Sequence, residues 1–209
     1  MNKYATEFIG TFFLVLTIGC TGIAAAPGVI PPLAIGAALM VMVFAGGHVS
    51  GAHYNPAVTL GVFLRGRCPG GDVTPYMIAQ VAGAAAAAAA VLSLKVGATF
   101  PAPFVPQAMP AFVAELLYTF ALVYVVLNVA TAKANAGNSF YGLAIGMTVM
   151  VGAFAVGPIS GAAFNPAVAI GAAVMGLMPW ATLWIYLAAN FLGGAAAAAA
   201  FNAMNPADR

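Results

Sequence analysis

Charge is what this sequence has least of. Six Lys or Arg and four Asp or Glu make up only 5% of its 209 residues. Soluble domains carry about 25%, so this chain cannot clothe a water-facing surface and reads as an integral membrane protein. A net charge of +2 is too small to point to nucleic acid. Cysteine is nearly absent: Cys20 and Cys68 are too few for a disulfide framework, and the topology below sets them on opposite sides of the bilayer. Histidine is as scarce. His48 and His53 flank Ser50, but no Asp or Glu lies close by in sequence to orient an imidazole, and two histidines make a poor zinc site. The expectation is therefore no catalytic residue, no metal and no cofactor, with His48 and His53 in structural or pore-gating roles. No short apolar run closed by a small-residue cleavage site marks a signal peptide.

What the chain has in abundance is apolar sequence, 64% of it. A spanning helix needs about 20 apolar residues. Six stretches qualify: 6–26, 31–47, 75–95, 111–131, 139–157 and 179–203. Punctuation separates them at Pro27-Gly28, Pro31-Pro32, Pro69-Gly70-Gly71 and Pro101 through Pro110. Two shorter apolar segments, 56–64 and 166–175, are long enough to cross only half a bilayer. With the N-terminus cytoplasmic, Lys3, Arg65, Arg67, Lys133 and Arg209 fall inside and only Lys95 outside, so both termini are expected in the cytoplasm.

The chain also repeats itself. Residues 33–58, LAIGAALMVMVFAGGHVSGAHYNPAV, align without a gap on 143–168, LAIGMTVMVGAFAVGPISGAAFNPAV, and Gln80 falls on Asn190 at the same offset. Glu7-x-x-x-Thr11-Phe12 likewise matches Glu115-x-x-x-Thr119-Phe120. Each half holds three spans and one half-span. Three is odd, so the second half enters from the opposite face, which makes an inverted repeat. The expected fold is an all-α membrane protein of six transmembrane helices and two re-entrant half-helices. It forms a single channel domain with repeats 1–95 and 111–209 joined by an extracellular loop, 96–110.

Inversion gives the two Asn-Pro pairs a purpose. The half-helices meet N-terminus to N-terminus near the midplane, where Asn suits the N-cap and Pro the first turn. The irregular backbone before each pair, Gly51–Tyr54 and Gly161–Phe164, is tolerable only where it lines water. Two positive helix ends, two carboxamides and a row of carbonyls describe a narrow aqueous pore that disfavours cations. Glu7 and Glu115, at matching repeat positions, are expected to accept hydrogen bonds from re-entrant backbone N–H groups. The sharper alternative for a carboxylate inside a membrane is proton coupling. The alanine runs 84–90 and 195–200, with Gly83, Gly193 and Gly194, are expected to be close helix-packing faces.

The duplicated Asn55-Pro56-Ala57 and Asn165-Pro166-Ala167, each preceded by S-G-x-x-[YF], resembles the signature of the aquaporin and glycerol-facilitator (major intrinsic protein) family, and the likeness spans essentially the whole chain. The resemblance implies one pore per subunit in a homotetramer, conducting water and small neutral solutes in a lipid bilayer; the short loops and the lack of a signal sequence point to a prokaryotic plasma membrane. It makes Asn55 and Asn165 the central donors. The carbonyls of Gly51, Ala52, His53, Tyr54, Gly161, Ala162, Ala163 and Phe164 become the solute ladders. It places an outer selectivity filter at Ile35, Ala153, Ala162 and Val168. The last is a departure, because the family's usual residue there is Arg. A filter without charge or side-chain donors is expected to be wide and apolar, open to glycerol or urea; resemblance to bacterial family members that lack this Arg adds neutral metalloid hydroxides. A water-selective pore is the alternative; a coupled secondary transporter and a closed structural junction are weaker ones.

Overall fold

The computed structural model describes residues 1–22 and 28–208. Among them lie eight α-helices: α1 (Asn2–Gly22), α2 (Ile30–Ser50), α3 (Pro56–Leu64), α4 (Gly70–Leu94), α5 (Ala108–Val126), α6 (Tyr141–Ser160), α7 (Pro166–Val174) and α8 (Leu183–Met204). All but α3 and α7 are long and apolar enough to span a membrane, α5 by continuing through a π-helical turn at Leu127–Thr131. The exceptions have nine residues each. At 1.5 Å per residue they reach ~14 Å, under half of a ~30 Å hydrocarbon core. The expected end of the first span and Pro27 fall partly outside the described residues, as does Arg209.

Several boundaries shift from expectation, each for a local reason. Helix α4 starts at Gly70, so Pro75 lies inside it. The carbonyl Pro75 leaves unpaired belongs to Gly71, which is exposed and can be solvated. Helix α6 runs past Gly157 through Pro158 to Ser160, and Pro158 leaves free the carbonyl of exposed Phe154. In α2 the pair Pro31-Pro32 sits in the first turn, where a missing N–H costs nothing.

The halves interlock. Helix α1 packs on α4 and α5 on α8, while α2 meets α6 across the pseudo-twofold axis. Each half-helix crosses over, α3 onto α8 and α7 onto α4. Such close approach needs small residues, because apolar lipid offers no hydrophobic drive between helices. A Cβ on Gly83 would collide with the Phe8 carbonyl, and one on Gly193 would meet the Leu116 carbonyl at 2.6 Å. A Cβ on Gly194 would stand 2.7 Å from the Ala57 carbonyl, so it is glycine that lets α8 reach α3. Within the alanine runs, Ala84, Ala87, Ala88, Ala197 and Ala198 are fully buried. Large apolar side chains such as Ile78, Leu117 and Leu192 instead face outward, as befits contact with lipid.

Candidate functional site

The site is built on two segments of irregular backbone. Gly51 and Gly161 close the preceding helices in the left-handed region, both at φ 83. Beyond them Ala52 (φ 52), Tyr54 (φ 49), Ala162 (φ 53) and Phe164 (φ 47) also adopt left-handed conformations. A side chain there costs about 1–2 kcal/mol per residue, so something must hold the segments. Glu7 and Glu115, both fully buried, are in place to do so. Glu7 Oε1 accepts from Ser50 Oγ (2.6 Å) and the His53 N–H (3.0 Å); Oε2 accepts from the Tyr54 N–H (2.6 Å) and Gln80 Nε2 (2.8 Å). Glu115 repeats the pattern with Ser160 Oγ, the Ala163 and Phe164 N–H groups and Asn190 Nδ2, at 2.7–2.9 Å.

The remaining N–H groups are also spent, Gly51 and Gly161 on the Gly47 and Gly157 carbonyls and Ala52 and Ala162 on the Ser50 and Ser160 hydroxyls, so the backbone carbonyls are left over. Among the described residues no hydrogen bond is donated to the carbonyls of Gly51, Ala52, His53, Gly161, Ala162 or Ala163, and all six residues line cavities. The two segments end at the capping asparagines. Asn55 Oδ1 accepts the Ala57 N–H (2.8 Å), and its Nδ2 donates across the repeat to the Phe164 carbonyl (2.8 Å). Asn165 Oδ1 accepts the Ala167 N–H (2.9 Å), with Val168 N–H at 3.4 Å, and its Nδ2 donates to the Tyr54 carbonyl (2.9 Å). A carboxamide nitrogen carries two donors, so each asparagine keeps one N–H for the cavity both of them line. Pro56 and Pro166 open the half-helices just beyond, followed by buried Ala57 and Ala167.

That cavity, about 630 Å³, runs from the asparagines toward the face opposite the termini, and Ile35, Ala153, Ala162 and Val168 all line it. None of the four presents a charge or a side-chain hydrogen-bonding group. A second cavity of about 880 Å³ opens toward the terminal face, past His48, Gly51 and Tyr141. His53, Val126 and Ile145 line both, so the two approach each other near the midplane. His53 Nδ1 lies 3.1 Å from Thr59 Oγ1.

A carboxylate does lie beside Ser50 and His53: Glu7, distant in sequence, reaches Ser50 Oγ and the His53 backbone. It bonds the hydroxyl and the amide, and no bond from it to an imidazole orients a base. Other polar residues at the site carried no signal of their own. Gln80 and Asn190 were visible only as repeat partners. They bridge the anchoring carboxylates to Thr59 and Thr119. Tyr76 and Tyr186 donate their hydroxyls to the Ser50 and Ser160 carbonyls. Phe104 comes from the 96–110 connection to line the first cavity.

Charge collects at the terminal face. Lys3 pairs with Asp72 at 2.6 Å. Asp208 sits 2.9 Å from buried Arg65, 3.6 Å from Arg67 and 3.9 Å from Lys133. The Lys133 backbone N–H, with help from the Arg65 charge, holds the Asp208 carboxyl below the usual carboxylate range. Arg65 also lies over the Phe201 ring, 4.6 Å from its centre. Burial pushes the Cys68 thiol up.

Comparison with known proteins is consistent in one direction. The family model for the major intrinsic protein family matches residues 1–201. Rice aquaporin NIP1-3 is 41% identical over the whole chain and 75% of its own length. Aquaporin NIP1-1 of Arabidopsis thaliana is 36% identical with the same coverage. Among solved structures, the aquaglyceroporin from Plasmodium falciparum superposes with a TM-score of 0.84, covering 96% of this chain and 95% of that one at 23% identity. The two NIP aquaporins are plant proteins, and the expectation of a prokaryotic source draws no support from them.

Proposed function

The chain belongs to the major intrinsic protein family, and from that premise we propose a passive pore with a wide, apolar outer filter that passes water and neutral solutes of glycerol size. It is a multi-pass membrane channel rather than an enzyme. The observation that carries the solute reading is the lining at Ile35, Ala153, Ala162 and Val168, which holds no charge and no side-chain donor. A solute there is hydrogen-bonded only along one wall, by the carbonyls of Gly161, Ala162 and Ala163. Such a passage suits molecules with a polar edge and an apolar back: glycerol, urea and neutral metalloid hydroxides are the candidates.

At the centre the carboxamides of Asn55 and Asn165 offer donors only, at the positive ends of α3 and α7. A water there accepts from both and turns its own hydrogens outward along the pore, which interrupts a proton chain, while the helix ends repel cations. Glu7 and Glu115, with every carboxylate oxygen engaged by re-entrant groups, serve as struts rather than as coupling sites. We place both termini in the cytoplasm, because Lys3, Arg65, Arg67 and Lys133 gather at their face. Assembly as a homotetramer in the plasma membrane, with one pore per subunit and the halves 1–95 and 111–209 as folding repeats, follows the family.

Val168→Arg tests the filter. It inserts a charge and donors at the constriction and narrows it. Stopped-flow light scattering on proteoliposomes should show glycerol flux cut strongly and water flux reduced less. Equal reduction of both would place the limiting constriction elsewhere.

A further inference from the structure

The connection between α4 and α5 does not merely link the repeats. It folds back over the outer cavity, whose lining includes Pro101, Pro103, Phe104 and Val105 alongside the four filter positions. The Phe104 N–H donates to the Leu177 carbonyl at 2.8 Å, which ties the loop to the turn beyond α7. Its side chain turns toward Gly161: ring atoms Cδ1 and Cε1 lie 3.5 and 3.7 Å from where a Cβ on that glycine would stand. Gly161 opens the carbonyl-bearing segment, so the ring stands beside its entrance. The flanking residues are stiff, since Pro101 and Pro103 fix φ on either side of Ala102.

Among the described lining residues, the only other Phe, Tyr or Trp is Tyr186, and its hydroxyl is spent on the Ser160 carbonyl. Ile35, Ala153, Ala162 and Val168 contribute aliphatic side chains, two of them a single methyl. The largest flat apolar surface at this end of the pore therefore comes from a loop residue and from none of the four filter positions. We infer that Phe104 is a fifth wall of the outer constriction and a specificity-determining residue: its ring sets the upper size of neutral solute that can reach the carbonyls of Gly161 and Ala162. The inference rests on the reading of Ile35, Ala153, Ala162 and Val168 as the outer filter. Entering polyols slide their carbon chains past the ring before their hydroxyls take the carbonyls beyond it. Carbon chain length is then the property being measured.

The test is a size series in proteoliposomes, glycerol, erythritol and xylitol, with each flux normalised to that of glycerol at matched protein density. Phe104→Ala should raise the relative erythritol and xylitol flux by about tenfold, the low end of the discrimination an apolar site exerts per methylene. Phe104→Trp should lower it. The ring is 37% exposed, so truncation leaves little void in the packed bundle. Ala153→Phe, inside the filter, is the comparison variant. Should both Phe104 variants match wild type while Ala153→Phe excludes the longer polyols, the loop wall is refuted and the four-residue filter stands. No change from Ala153→Phe either would refute the filter reading and the loop wall with it.

Discussion

Replacing Glu7 by Gln is a change of one atom with a cost that can be worked from the contacts. Each carboxylate oxygen of Glu7 accepts two hydrogen bonds, Oε1 from Ser50 and the His53 N–H, Oε2 from the Tyr54 N–H and Gln80. Gln keeps one oxygen, and in either orientation its NH₂ confronts two donors. Two of four bonds are lost, at about 1.5–3 kcal/mol each for bonds to a charged acceptor, or ~3–6 kcal/mol. Folded proteins stand only about 5–15 kcal/mol above the unfolded state, so the loss is a large share. It falls on a segment already holding Ala52 and Tyr54 in left-handed conformations. For a chain of this size ~3–6 kcal/mol lowers the unfolding midpoint by roughly 6–24 °C. Fluorescence-detected size-exclusion chromatography of detergent extracts, heated at one fixed rate, would read the shift. Glu115→Gln should behave alike, since Glu115 takes the same four bonds in the other half. A midpoint within about 2 °C of wild type for both variants would refute the strut argument. A stable variant that lost proton-driven solute accumulation would show a coupled transporter instead.

Other outcomes follow from the same contacts. Asn55→Asp or Asn165→Asp puts a carboxylate at a positive helix end and should admit cations; unchanged bilayer conductance in both variants would move the central barrier elsewhere. The Lys133 backbone N–H and the Arg65 charge hold the Asp208 carboxyl below the usual carboxylate range, so these ties contribute stability above about pH 4, the ordinary value, and lose it as pH falls through the lowered one. The midpoint difference between wild type and Asp208→Asn should thus be constant from neutral pH down to about pH 5 and shrink only in stronger acid. A difference that grew on acidification would contradict the assignment.

How much of this was readable in the sequence depended on range. Asn55 and Asn165 announce themselves because capping and a following Pro are local chemistry, written within three residues, and the same holds for the extent of α3. The inverted topology was readable from an odd number of spans in each repeat. Helix ends were harder: Pro75 and Pro158 look like breaks, yet each sits where the carbonyl it frees is exposed, so α4 and α6 run through them. Contacts between distant segments that the repeat does not duplicate carried no sequence signal. Nothing near Asp208 announces Arg65, and nothing in Pro101-Ala-Pro-Phe104 announces Gly161. Glu7 was legible as an anchor only through its repeat partner, and its reach to Ser50 came from the fold.

The measurement that bears most directly on the central claim is paired flux in sealed proteoliposomes with no ion gradient across them. Stopped-flow light scattering would give wild-type water and glycerol permeabilities at matched protein density, and planar bilayers would give ionic current from the same preparation. A passive pore with a wide apolar filter predicts rapid movement of both, a glycerol-to-water ratio above that of a water-selective channel, and no ion current. Water flux with glycerol and every larger neutral solute excluded would contradict it, as would solute movement that required an ion gradient.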